Sequence, residues 1–567
     1  MPPAGRVHLA RALPAVSNHI ARHRIAAAPS VPAQARYPAR RLHPDQPPKN
    51  DAASTSQRAQ QALQFFEDVL ADRGLLVHLD DELRRRLMEA AGRVARPDPW
   101  QKREFLREAR RQRKEQKRAE DERKLSSTGI RKLRREAVFV TPPALPAPVV
   151  PGGDIDRELA DAAASPAPAA PAEPHTVRDE RNCYVCKTTF TTLHHFYDSM
   201  CQRCGDLNHE KRQQTADLRG RVAVVTGSRV KIGYQASILM LRAGCRVVAT
   251  TRFPHDAALR YAREADFADW RDRLHVHGLD LRHTPSVEAF CRHLNATFDR
   301  LDFVINNACQ TVRRPAGFYR HLMDAERQPL SALPDAAQQL LRSHEALRLG
   351  QADATQALPA TLDPLRHHDA PELSQRALLA EDLLHGEAIF PGGRLDQDLQ
   401  QVDLRTHNSW RMPLADVTTV ELLEVQLVNA VAPFVLNARL KPLMLRAPSR
   451  DKHIVNVSAM EGQFYRSFKT DKHPHTNMAK AALNMMTRTS AKDYVRDGIH
   501  MNSVDTGWVT DEDPAEIAAR KVEEHGFHPP LDIVDGAARI VDPIFSGINT
   551  GVHVWGQFLK DYAPTHW

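Results

Sequence analysis

Cysteine is scarce, with seven residues in 567. That is far too few for a disulfide-stapled secreted domain, so a reducing compartment is the expectation. Glycine is also low, at 25 residues, whereas proline reaches 39. Typical chains carry ~7% Gly and ~5% Pro, so the imbalance excludes a glycine-rich repeat and points to proline-bearing linkers. No uninterrupted apolar run approaches the ~18–20 residues of a membrane helix, and the mean hydropathy is −0.49. No membrane partner is therefore expected. No secretory signal is visible either, because Leu9–Val16 is broken by Arg11 and Pro14. What is present is 42% hydrophobic residues, enough for a sizeable core. The length suits about three or four domains at roughly 100–200 residues each.

Acid is missing from the first 44 residues, and charge is unevenly spread throughout. Residues 1–50 hold 8 Lys+Arg and one acid, and residues 84–135 hold 20 Lys+Arg against 8 Asp+Glu. The whole chain nets +8, so a basic N-terminal region is attached to an acidic remainder. Residues 1–50 have the Ala/Arg/Pro composition of a disordered or targeting-like extension. The cytoplasm is the expected location, with organellar targeting by this segment as the alternative.

Residues 51–140 read as a basic helical region. Ala62, Leu63, Phe65, Phe66, Val69 and Leu70 recur at helical spacing, and Asp80 is placed to cap a second helix. The charged run from Trp100 to Arg135 is read as a solvated helix with i,i+3 ion pairs. Its alternative is an arm for nucleic acid, because clustered cations displace counterions from phosphates. Residues 141–180 form a Pro/Ala linker without the apolar content to order itself. Neither segment offers an evident docking face, so residues 1–180 are expected to be dispensable for ligand binding.

Residues 181–210 hold a tight cysteine pattern. Cys183-x-x-Cys186 is followed, after fourteen residues, by Cys201-x-x-Cys204. Two such hooks suit one tetrahedral zinc site, and four thiolates leave no position for water. The expected metal is therefore structural. Gly205 is read as an exit at positive φ, and His194 and His195 as packing or surface residues.

From Arg221 the pattern becomes strand, turn, helix, strand: RVAVV, TGSRVKIG, YQASILMLRAG and CRVVATTR. That is a βαβ unit of dinucleotide-binding length, with a helix N-terminus aimed at a pyrophosphate. The order of motifs that follows resembles the short-chain dehydrogenase/reductase family across residues 218–567. Thr226, Gly227 and Gly233 match its first turn, with Lys231 where the middle Gly belongs. Asp280-Leu281 matches its acid beside adenine. Asn306-Asn307-Ala308-Cys309 matches its NNAG, with Cys309 for Gly. Asn429 matches the helix Asn that supports a relay water. Asn502 and Asp505-Thr506-Gly507-Trp508-Val509-Thr510 match the segment flanking nicotinamide, with Thr506 for Pro.

The resemblance implies a Rossmann-like, doubly wound parallel sheet of the α/β class. It also implies NADP(H) or NAD(H) as cofactor, held by Thr226, Gly227, Arg229, Ile232, Gly233, Arg252, Asp280, Leu281, Asn307, Ala308, Lys480 and Thr510. NADP(H) is expected over NAD(H), because β-strand residues 249–252 end in Arg252 rather than an acid. The catalytic positions depart from the family. Ala459 stands in the Ser position, with Ser458 one residue early. Lys480 is kept, but Thr476 replaces the Tyr four residues before it. A Thr hydroxyl cannot ionise usefully near neutral pH. Tyr465 and His475 are the candidate substitute acids, beside Asn429, Lys480 and Thr476. Residues 313–410 form an insertion in which Tyr319, His321 and Arg405 are candidates to reach a substrate.

The resulting expectation is an oxidoreductase passing a hydride between nicotinamide and a small carbonyl or alcohol substrate, alone or as a homo-oligomer. The alternative is a nucleotide-binding pseudoenzyme serving as sensor or scaffold.

Overall fold

This computed structural model describes residues 52–143, 175–356, 369–384, 386–465 and 469–567. The targeting-like extension and most of the Pro/Ala linker lie outside them. The chain divides into two units, Met1–Glu108 and Ala109–Trp567. In the first, helices Ala52–Ala71 and Asp81–Ala95 flank a short turn of helix. The Asp80 carboxylate accepts from the Leu83 amide at 2.8 Å, which is the cap expected from sequence. Helix Pro99–Ser126 then runs on into the second unit.

The second unit is built on an eight-stranded sheet in the order β10-β9-β8-β7-β6-β3-β4-β5. The strands are β3 Val222–Thr226, β4 Arg246–Thr251, β5 Leu274–Gly278, β6 Phe303–Asn306, β7 Lys452–Ser458, β8 Ile499–Asp505, β9 Phe558–Lys560 and β10 Ala563–Thr565. All neighbours run parallel except β10, which turns back on β9. Every residue of β3, β7 and β8 is buried, because helices cover both faces. Strand order reverses between β3 and β6, so a crevice opens at their carboxyl ends.

Helix Thr419–Arg446 packs against helix Thr284–Thr297 and beside β6 and β7. It is long and apolar enough by composition to cross a membrane. Glu424, Asn429, Arg439 and Lys441 break its apolar run, and its contacts are those of a helix packed on a sheet. The 313–410 insertion sends helix Asp335–Gln356 across β5, where His344 Nδ1 accepts from the Gly278 amide at 3.3 Å. That helix covers the open edge of the sheet.

A smaller two-stranded sheet, β1 Thr176–Asn182 with β2 Thr189–Thr192, carries the cysteine hooks. Cys201 begins helix Gln202–Gln213. Gly205 lies inside that helix, not at positive φ as expected. Its need is space, because a Cβ there would meet His194 Cδ2 at 2.5 Å. His194 is buried and accepts from the Phe196 and Tyr197 amides at 3.1 and 3.2 Å, while His195 is exposed.

The small domain docks on the last helix, Ile533–Thr550. Tyr197 donates to Asp535 at 2.6 Å, and Lys211 pairs with Asp542 at 2.7 Å. The end of the basic region docks too, which corrects the expectation that it lacks an apolar face. Leu125 packs with Val177 and Leu193, and fully buried Ile130 packs with Tyr197, Met200, Leu531 and Val534. Arg131 pairs with Asp198 in the same buried layer. Sequence missed this because one Ile between Gly129 and Arg131 makes no periodic stripe. Ile130→Ala should cost about 2–5 kcal/mol in denaturant unfolding. An unchanged midpoint would mean that Ile130 is not packed against the small domain and the last helix.

Candidate nucleotide-binding site

The crevice is a cavity of about 590 Å³. Its floor is the turn after β3. Gly227 has φ +68, and a Cβ there would meet the Ala308 Cα at 2.8 Å. At Gly233 a Cβ would lie 2.2 Å from Asn307 Nδ2. Both positions therefore exclude a side chain, and the turn packs tightly on the segment after β6. Asn307 Nδ2 donates to the Thr226 carbonyl at 3.0 Å, and the Ala308 amide donates to Thr226 Oγ1 at 3.0 Å. Gly227, Arg229, Ile232, Gly233, Arg252, Asp280, Leu281, Asn307, Ala308 and Thr510 all line the cavity, whereas Thr226 supports it from beneath.

Lys231 occupies the family's glycine position at φ +57. A side chain in that left-handed region costs about 1–2 kcal/mol. Burial raises the Asp398 pKa overall against the pull of the Lys231 ammonium, which also acts on Glu512 of the cavity lining. Glu512 ends below its usual range: burial opposes this, but Lys231, a 2.6 Å bond from Thr510 and Arg314 outweigh it. Lys231→Gly should raise unfolding stability by about 1 kcal/mol through relief of that strain. A lower midpoint in thermal melts would show instead that the ammonium's contacts outweigh the strain.

The cations divide into committed and available. Arg229 lines the cavity but is already paired with Asp256 at 2.8 Å. Arg282 clasps Asp280 at 2.6 Å and Glu424 at 3.0 Å. That clasp occupies the carboxylate expected beside adenine. Glu424 also binds Arg313 at 2.9 Å, and Arg313 binds Asp382 of the insertion at 2.5 Å. Arg252 has no carboxylate within 4 Å among the described residues. It lies 4.6 Å from the Tyr319 ring centroid and donates to the Tyr319 hydroxyl at 2.5 Å. Tyr319 and Arg405 line the cavity as hoped, with Gln400, Gln401 and Val402 of the same insertion, whereas His321 does not. The insertion is thus a wall of the site, which its length alone does not reveal.

The expected catalytic residues are placed elsewhere. Tyr465 is 84% exposed and stacks on His566. His475 is buried with Nε2 3.6 Å from Glu421. The hydroxyls of Thr476 and Ser458 are buried without a hydrogen-bond partner among the described residues. Lys480 is buried and donates to the Val457 carbonyl at 2.8 Å instead of facing the cavity. Asn429, in the π-helical turn Leu427–Val431, exchanges bonds with the Gln310 backbone at 2.8 and 3.1 Å. Its amide positions the strand exit rather than lining the space. None of these six side chains borders the cavity.

The four cysteine sulfurs lie within 4.8 Å of one another, with Cys186 and Cys201 3.7 Å apart. Tetrahedral zinc with Zn–S of about 2.3 Å sets sulfurs about 3.8 Å apart, so the donor set fits one ion. Hydrogen bonds from Thr188 bring the Cys186 thiol down to about 6. Tyr184, between the first two cysteines, accepts from the Trp508 amide at 3.0 Å. The small domain therefore holds the loop after β8 that carries Thr510.

A family model described as short chain dehydrogenase matches residues 221–325, and one described as enoyl-(acyl carrier protein) reductase matches residues 393–528. An uncharacterised protein of Acanthamoeba polyphaga mimivirus is 31% identical over 391 residues, 67% of this chain and 74% of that one. The chain belongs to the short-chain dehydrogenase family. Retinol dehydrogenase 11 of Mus musculus is 32% identical over 109 residues, 18% of this chain and 34% of the relative. A short-chain dehydrogenase from Streptomyces avermitilis superposes with a TM-score of 0.35 at 16% identity, covering 60% of this chain and 87% of that one. Within the short-chain dehydrogenase framework, the insertion 313–410 falls largely between the two matched segments.

Proposed function

We propose that the chain binds NADP(H) and passes a hydride between the nicotinamide and a small carbonyl or alcohol substrate. The observation that carries this reading is the crevice at the strand-order reversal, floored by the Gly227–Gly233 turn and bordered by Arg252. An unpaired guanidinium at the end of β4 suits a bidentate grip on a ribose 2′-phosphate. A bound nicotinamide would supply the hydride at its C4. The chain's own part is to bind and orient: Gly227 and Gly233 let backbone approach the pyrophosphate, Lys231 offsets its charge, and Arg252 takes the 2′-phosphate. Titration of the full-length chain with NADPH, followed by NADPH oxidation across a carbonyl panel, tests both steps. Absence of NADPH binding overturns the reading.

A second reading is favoured by one observation: none of the expected proton donors, Tyr465, His475 and Thr476, borders the cavity. On it the chain is a nucleotide-binding sensor or scaffold. Tight NADPH binding with no turnover on any substrate, and no effect of Tyr465→Phe or His475→Gln on binding, is its expected signature.

The cysteine cluster supports a structural zinc. Cys201→Ser should release about one zinc per chain, measured by metal analysis of purified protein, and lower the melting temperature. Wild-type protein holding no zinc at this cluster would refute it.

A further inference from the structure

At the end of the sheet opposite the cavity, three histidines from distant parts of the chain meet. His453 is the second residue of β7 and His500 the second of β8, and the two are register partners. His553 returns to them just after helix Ile533–Thr550. His453 Nε2 lies 3.0 Å from His553 Nδ1. The His500 and His553 rings stack with centroids 4.7 Å apart. One ring nitrogen from each lies within 4.8 Å of the other two.

Three features distinguish this cluster from ordinary packing. First, His500 Nδ1 sits 3.1 Å from the Lys452 carbonyl oxygen. A carbonyl only accepts, so Nδ1 carries the proton and Nε2 presents its lone pair. A backbone carbonyl fixing the remote nitrogen is the usual support of a metal-binding imidazole. Second, His453 is fully buried, and its Nδ1 has no hydrogen-bond partner among the described residues. Its other nitrogen lies against the nitrogen of His553. Two nitrogens held by one tetrahedral ion at about 2.0–2.1 Å stand about 3.3 Å apart, so the pair need open by only a few tenths of an ångström to hold one. Third, helix Ile533–Thr550 presents a glycine where they meet. A Cβ on Gly547 would lie 2.5 Å from His553 Nδ1 and 3.1 Å from His453 Nε2. The nearby Asp451 carboxylate is committed to Arg221 by bonds of 2.7 and 2.8 Å, so it is no ligand.

We propose that His453, His500 and His553 form a second metal site, for a divalent transition ion of the zinc class. It is separate from the cysteine cluster and independent of the nicotinamide reading. Three imidazoles suit zinc, cobalt, nickel or copper and leave a position for water. Such an ion would tie β7, β8 and the segment after the last helix together at the foot of the sheet.

The probe is Co(II), added to the full-length chain after removal of metal by a chelator. Cobalt on the cysteines gives strong thiolate charge-transfer absorption, whereas cobalt on three imidazoles gives only ligand-field bands in the visible. The expected result is a Co(II) equivalent without thiolate absorption. It should be lost in His553→Ala and His500→Ala and kept in Cys201→Ser. Gly547→Ala leaves all three imidazoles in place but fills the meeting point, so it should lose the same equivalent. Far-ultraviolet circular dichroism and the unfolding midpoint confirm that each variant is folded. Should folded wild type take up no equivalent that depends on His553, or should that equivalent survive both histidine substitutions, the proposal is overturned.

Discussion

Replacing Arg212 with Leu should destabilise the second unit by about 3–5 kcal/mol at neutral pH. The Arg212 guanidinium is buried between two carboxylates, at 2.5 and 2.8 Å from Asp532 and 3.0 Å from Asp535. Asp532 also caps helix Ile533–Thr550, accepting from the Val534 and Asp535 amides at 3.0 Å. Without the cation, two like charges remain buried together. The loss should shrink as pH falls. Burial and Asp532 already raise the Asp535 pKa, and removal of Arg212 raises it further. The folded variant then holds more protons than the unfolded chain above the ordinary carboxylate range, so its stability increases on acidification toward about pH 4–5. Urea unfolding at pH 7 and pH 5 measures both. A loss under about 1 kcal/mol, or one that grows toward acid, would contradict this account.

Arg252→Ala should weaken NADPH binding about 10–100-fold while leaving NADH nearly unchanged. The figure corresponds to roughly 1.4–2.8 kcal/mol, the scale of a lost charge-assisted bidentate contact. Tyr319→Phe removes only the hydroxyl that accepts from Arg252, so its effect should be a few-fold and in the same direction. Fluorescence titration with both dinucleotides reads the ratio directly. Equal losses for NADPH and NADH would mean that Arg252 shapes the pocket generally. Tighter binding of NADH in the wild type would remove the basis for the cofactor preference.

Local pattern made part of this legible. The apolar run of β3, the glycine turn and the helical stripe after it each occupy a short window, so the βαβ unit could be read residue by residue. The cysteine spacing and the Asp80 cap are local in the same way. What sequence missed depends on residues far apart in the chain. Tyr465-x-x-x-Lys469 copies the family's motif spacing, yet it precedes helix Pro474–Tyr494, and Tyr465 points into solvent. Lys480 keeps its place in the motif, but the nearest acceptor, the Val457 carbonyl, takes its ammonium. The chain of Asp280, Arg282, Glu424, Arg313 and Asp382 spans β5 to the insertion and has no sequence signature at all. Gly205 shows the same limit: its identity is set by a histidine from another element, not by its own backbone angle.

The docking of the small domain on the last helix also constrains synthesis. Arg212 and its partner Asp532 are separated by 320 residues. At about 5–20 residues per second, the ribosome needs roughly 15–65 s to make that interval. During it, the segment carrying Ile130, Tyr197 and Met200 has emerged without the surface that will cover it. The small domain is thus finished early but seated late, and its apolar face is exposed to chaperones or to neighbouring nascent chains until the final helix leaves the ribosome.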